Sequence, residues 1–118
     1  MLSEMKSRLS GLIAVTSTGN TLDAFVSEKF GRCQYFIIVD PETMKYEAVP
    51  NPGEQMPGGA GPKAAEVIIS KGVKVLLTGH VGDKAEEALK RGNIKIVDEL
   101  KENTKVIDAI NHHLLETK

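Results

Sequence analysis

The chain has 118 residues, 15 Lys and Arg against 16 Asp and Glu, and a single cysteine, which suits one compact domain and leaves no room for two. A formal charge of −1 with both signs interspersed gives no electrostatic footprint for nucleic acid, and no apolar run approaches the roughly 18 residues of a membrane span. One thiol allows no intramolecular disulfide and fits a reducing cytoplasm.

Residues 1–10, MLSEMKSRLS, are polar and read as a disordered leader ahead of a single domain over 11–118. GLIAV at 11–15 is a short β-branched apolar run, the first predicted strand. It passes into TSTGNTLDAFVSEKFGR, a connection long enough to suggest function. YFIIV at 35–39 is the second strand, and DPET supplies turn chemistry before a return strand at 45–49. Residues 50–62, PNPGEQMPGGAGP, hold four of the five prolines and form a loop. Pro62 predicts a helix start, Ala64, Ala65, Ile68 and Ile69 its apolar face, and Gly72 its left-handed stop. VKVLLTG at 73–79 reads as a strand buried on both faces. Asp83 and Glu86 resemble a capping box opening a helix to Arg91, which Gly92 ends. NIKIV is a short strand, and a last helix over about 104–116 buries Val106, Ile107, Ile110 and Leu114.

Alternating strands and helices after Pro62 require right-handed crossovers and parallel pairing, whereas the hairpin requires antiparallel pairing. The expected fold is a three-layer α/β/α domain with a five-stranded mixed sheet in the order 3-2-1-4-5. Strand 2 alone is antiparallel, giving a ribonuclease H-like layout. Ligands in such sheets sit beyond the carboxyl ends of the parallel strands, where strand order reverses. Three loops should converge there: 16–34, 50–62 and the turn Thr78-Gly79-His80-Val81-Gly82. Lys29, Arg32 and two helix starts make that rim suited to an anion.

Each rim residue has two open readings. Gly58, Gly59 and Gly61 either permit a tight turn or line a site. His80 is a hydrogen-bonded loop histidine or a metal ligand. Cys33 is a small buried hydrophobe or a ligand beside the fixed charge of Arg32. Met56 is a mobile loop residue or a soft thioether donor. His112 and His113 read as cations favoured in a last helical turn. A ribonuclease H-type nuclease needs several converging carboxylates for two metal ions. The first strand carries none and the fourth ends Leu77-Thr78-Gly79, so a non-catalytic binding protein is expected.

SEKFGRCQYFIIVD, GGAGPKAAE and LLTGHVGDKAEEAL together resemble the dinitrogenase iron–molybdenum cofactor biosynthesis family, which includes NifX, NafY and the carboxyl-terminal part of NifB. The resemblance runs from about Leu12 to the final helix and implies the same layout. It also implies non-covalent handling of an iron–sulfur or iron–molybdenum-type cluster, with cluster-assembly or nitrogenase-like proteins as partners and the chain a monomer or weak homodimer. The family's S-x-H-F-G-R falls on residues 27–32, with Lys29 where histidine is usual, and a protonated lysine cannot coordinate iron. Its G-G-G-A-G falls on residues 57–61. The implied ligands are Cys33 and His80, with Lys29, Arg32, Gly58, Gly59 and Gly61 completing the cofactor site. One thiolate cannot satisfy an ordinary four-thiolate cluster, so either two or more chains share a cluster or the guest arrives preassembled. A small anionic metabolite, or a regulatory docking role without metal, is the alternative.

Overall fold

The computed structural model describes residues 11–116, so the expected leader lies outside the described residues. Five strands form one sheet: β1 Leu12–Ser17, β2 Tyr35–Val39, β3 Tyr46–Pro50, β4 Val73–Leu77 and β5 Lys95–Val97, in the spatial order β3-β2-β1-β4-β5. β2 runs antiparallel to both β1 and β3, while β1 with β4 and β4 with β5 are parallel. The expected topology is therefore the observed one.

Alternation along the central strands divides the core in two. Ala14, Phe36, Ile38 and Leu76 face α1 (Ala60–Ser70) and α2 (Asp83–Arg91), packing with Ala64, Ala65, Ile68, Ala85 and Leu89. Ile13, Val15, Ile37, Val39 and Leu77 face α3 (Val106–Glu116), meeting Val106, Ala109 and Ile110. With so few aromatics, the tilted Phe30–Phe36 pair, 5.7 Å between centroids, supplies the large side chains of the first layer. No described helix is long and apolar enough to cross a membrane.

The helix ends depart from the sequence reading in two places. α1 begins at Ala60, because Gly59 takes a left-handed conformation (φ 72°) as its N-cap. Pro62 fits the third helical position, where its missing N–H was unsatisfied in any case. α2 has Gly82 as N-cap and Asp83 as its first residue, with no side-chain cap hydrogen bond, so the capping box does not form. Asp83 and Glu86 still favour the positive end of the dipole. After α1 the left-handed residue is Gly72, as expected, and Gly92 ends α2 as its C-cap, also as expected, with the left-handed conformation taken by Asn93 (φ 60°) beyond it. Gly92 is small for another reason, since a Cβ there would meet the Ile69 side chain at 2.7 Å.

In α3 the apolar stripe is turned by one residue. Ala109 and His113 are buried, while Ile107 and Leu114 are only half-buried. His113 is thus a packed residue and not merely a cation at a helix end. Burial, then Lys95 on β5, lower its pKa, and Glu116 partly offsets this. The unfolded chain therefore takes up this proton at higher pH than the folded one. The stability His113 contributes is complete above about pH 6.5, the unfolded value, and is lost as pH falls through the folded value. Urea unfolding between pH 5 and 8 is expected to show a component that rises with pH and disappears in His113→Gln.

Candidate functional site

The rim forms because backbones, not long side chains, bring its loops together. Lys29 and His80 pair as an isolated parallel bridge, in which the His80 amide donates to the Glu28 carbonyl and the Phe30 amide to the His80 carbonyl. This approach requires glycine at 79, where a Cβ would lie 2.5 Å from the Glu28 oxygen. Behind the bridge, at the switch point between β1 and β4, the buried Thr16 and Thr78 hydroxyls meet at 2.9 Å. Thr16 donates onward to the Ser27 carbonyl at 2.7 Å. Where a two-metal nuclease would present carboxylates, this sheet presents paired hydroxyls.

Phe30–Arg32 form one turn of 3-10 helix, anchored by the fully buried Phe30. The turn packs against the start of α1, and a Cβ on Gly31 would stand 2.9 Å from the Gly61 nitrogen. Between this turn, the start of α1 and the start of α2 lies an open cleft of about 470 Å³. Its walls carry Lys29, Arg32, Gly61, His80, Asp83 and Lys84. Three cations and two helix N-termini against one carboxylate give the cleft a positive field. His80 is exposed and brings a borderline donor suited to iron.

The structure therefore brings together four of the expected residues, Lys29, Arg32, Gly61 and His80. Gly58 and Gly59 are exposed on the approach to α1 and do not line the cleft. Cys33 has the surroundings of the first of its two readings, a small buried hydrophobe, and does not line the cleft. It is 1% exposed, with its thiol donating to the Phe30 carbonyl at 3.4 Å and the Asn51 amide 3.7 Å from the sulfur. The thiol is turned into the layer beneath α1 and not towards His80, because this turn buries Phe30 and Cys33 on the same side. Burial pushes its pKa up to about 12, despite lowering by hydrogen bonds. Coordination through Cys33 would require the turn to open.

That burial makes a direct prediction. Raising a thiol from 9.0 to about 12 leaves about a thousandfold fewer thiolates at pH 8. Iodoacetamide should modify the native protein at least about a thousandfold more slowly than the urea-unfolded chain. Comparable rates would show that the turn opens freely.

Three features of the site were missed in the sequence. Lys84 is the first, although its place beside Asp83 at a helix start put it on the rim. The second is the Thr16–Thr78 pair, which only the sheet register reveals. The third is Asn51, buried within PNPG, whose signal was that Asn before Pro-Gly favours a turn through its own side chain. Its Nδ2 donates to the Gly31 carbonyl at 3.0 Å and the Cys33 carbonyl at 2.9 Å, while its Oδ1 accepts from the Gly53 amide at 2.9 Å. Arg32 reinforces this tie, since its Nη1 donates to the carbonyls of Gly53, Glu54 and Met56. Among the described residues no trio of His, Cys, Asp or Glu is arranged to hold a bare metal ion.

The sequence model of the family described as dinitrogenase iron-molybdenum cofactor matches residues 11–114. Among solved structures, the apo form of the orange protein from Desulfovibrio gigas is 41% identical, with a TM-score of 0.85, covering 90% of this chain and 88% of that one. An NMR structure of a candidate NifB protein from Thermotoga is 35% identical, with a TM-score of 0.75, covering 87% and 86% respectively. The curated proteins provide no match.

Proposed function

The chain belongs to the dinitrogenase iron-molybdenum cofactor family, and we propose that it is a non-catalytic, cytoplasmic carrier whose cleft holds a preassembled anionic metal–sulfur cluster as cargo. The observation that carries this reading is the convergence of Lys29, Arg32, Lys84 and two helix N-termini around one exposed imidazole. A cluster with its own bridging sulfides needs few protein ligands. His80 would supply one nitrogen, the three cations would offset the negative charge, and the amides at the start of α1 and α2 would face the sulfides. The donor set does not fit an ordinary four-thiolate cluster assembled on the protein. The single thiol is buried and protonated. Description of the 41%-identical neighbour as an apo form supports a bound group in this fold. An openly mouthed cleft suits transfer to assembly or nitrogenase-like partners.

Anaerobic incubation with isolated iron–molybdenum cofactor, followed by gel filtration, tests this. Iron, molybdenum and visible absorbance should co-elute with the protein, and His80→Ala, which removes the one nitrogen ligand, should weaken binding by about tenfold or more. Colourless protein at every cofactor concentration would reject the cluster. Binding of inorganic phosphate instead, lost in Lys84→Glu, would favour a small anionic metabolite.

A further inference from the structure

The guanidinium of Arg32 stands between two neighbours. One nitrogen, Nη1, faces three carbonyls of the 53–56 segment, those of Gly53, Glu54 and Met56. Nε and Nη2 have no hydrogen-bond partner among the described residues, and Arg32 forms part of the cleft wall. The 53–56 segment is otherwise held mainly through Asn51. The Gly53 amide bonds the Asn51 side chain, the Glu54 amide the Asn51 carbonyl at 3.3 Å, and the Met56 amide the Gly53 carbonyl at 3.1 Å. Few apolar contacts hold this turn, since Gly53 alone of its four residues is buried.

An exposed guanidinium that is free to swing holds such carbonyls weakly, because side-chain entropy opposes the contact. An anion engaged by Nε and Nη2 removes that freedom, and the fork geometry then presents Nη1 to the carbonyls at little further cost. We propose that Arg32 is a positioning residue that couples occupation of the cleft to ordering of the 53–56 segment, so that loaded and empty carrier present different surfaces beside the cleft mouth. The idea rests on the carrier reading and concerns its regulation. Coupling is reciprocal: whatever orders this segment, including a partner docked on it, tightens the grip on the guest by the same factor.

Hydrogen–deuterium exchange of the intact protein tests this, with isolated iron–molybdenum cofactor as the probe and co-elution measured on the same samples. Binding should slow exchange of the Gly53, Glu54 and Met56 amides by about tenfold, within the usual range of such couplings. Arg32→Lys keeps the charge but not the fork. It should bind the cofactor more weakly by about the same factor, still co-elute at saturating cofactor, and even then show little of that protection. Arg32→Gln should lose both, and unchanged exchange across β1 and β4 would show that each variant is folded. Should Arg32→Lys fail to fold, wild-type protection against a fixed set of β-sheet amides still decides the matter. Bound cofactor without slower exchange at 53–56 overturns the coupling and leaves the carrier reading intact. Equal protection in Arg32→Lys overturns the role of the fork. Absence of any co-elution rejects the carrier reading and the coupling with it.

Discussion

Replacing Gly79 with alanine is expected to cost about 3 kcal/mol or more of stability and to pull the cleft apart at its centre. The added methyl would sit 2.5 Å from the Glu28 oxygen, 2.6 Å from its Cα and 2.9 Å from its carbonyl carbon. All three are backbone atoms, so no flexible side chain can give way. Relief requires moving the 78–80 turn away from residue 28, which breaks the two amide–carbonyl bonds between residues 28–30 and His80. Two lost hydrogen bonds at about 1 kcal/mol each, with 1–3 kcal/mol of overpacking, give the magnitude. In a domain of this size that lowers Tm by roughly 10 °C. Gly58→Ala is the control: its Cβ would meet nothing within 4 Å and its φ is not positive, so it should be near-neutral. Urea unfolding of both variants checks this. The pairing of Lys29 with His80 in the Gly79→Ala protein, followed by NMR, shows whether the cleft has opened. A Gly79→Ala midpoint matching that of Gly58→Ala would mean that the loop junction is looser than its geometry requires.

The sheet was legible because its signals are redundant. The short β-branched apolar runs GLIAV and YFIIV, Asp-Pro at the hairpin and Gly after each of the first two helices all point to one topology, and local and global preferences agree. The rim was legible at the level of loops, because strand order dictates where loops meet. Side-chain direction within the rim was not. The residues Phe30-Gly31-Arg32-Cys33 read only as the end of the 16–34 loop, yet they form a turn whose three-residue period sends Phe30 and Cys33 inward together and leaves Arg32 outside. The thiol beside a fixed charge therefore gains nothing from it, since burial dominates its ionisation. Asn51 escaped notice for the opposite reason. Its residue type suggested a solvated turn, and only the fold shows that the turn closes over the 31–33 backbone.

Asn51 carries the second large expectation, and two substitutions separate its hydrogen bonding from its size. The side chain is 5% exposed and satisfies two carbonyls and one amide. Asn51→Ala leaves these groups without partners beneath the 53–56 segment and should cost about 3 kcal/mol, equally at every pH relative to wild type measured at that pH. It should also raise the rate at which Cys33 is alkylated, because a turn no longer tied to the Cys33 carbonyl opens more often, and this outweighs the loss of the amide that favours the thiolate. Asn51→Asp keeps the shape but replaces the donor with an acceptor facing the Gly31 and Cys33 carbonyls. Ionised, it would set negative charge against two carbonyl dipoles in a buried place. Both effects raise the folded pKa of the new carboxyl above the unfolded value of about 3.9. The folded state then holds its proton at higher pH than the unfolded state does. The variant should stand closest to wild type below about pH 4, where the protonated acid can still donate one bond, and should lose stability as pH rises through the folded pKa. Urea midpoints of wild type and both variants at pH 4.5 and 8 decide it. If Asn51→Asp matched wild type equally at both values, the carboxylate would have reached water, and the closure of this turn over the Cys33 backbone would not hold in solution.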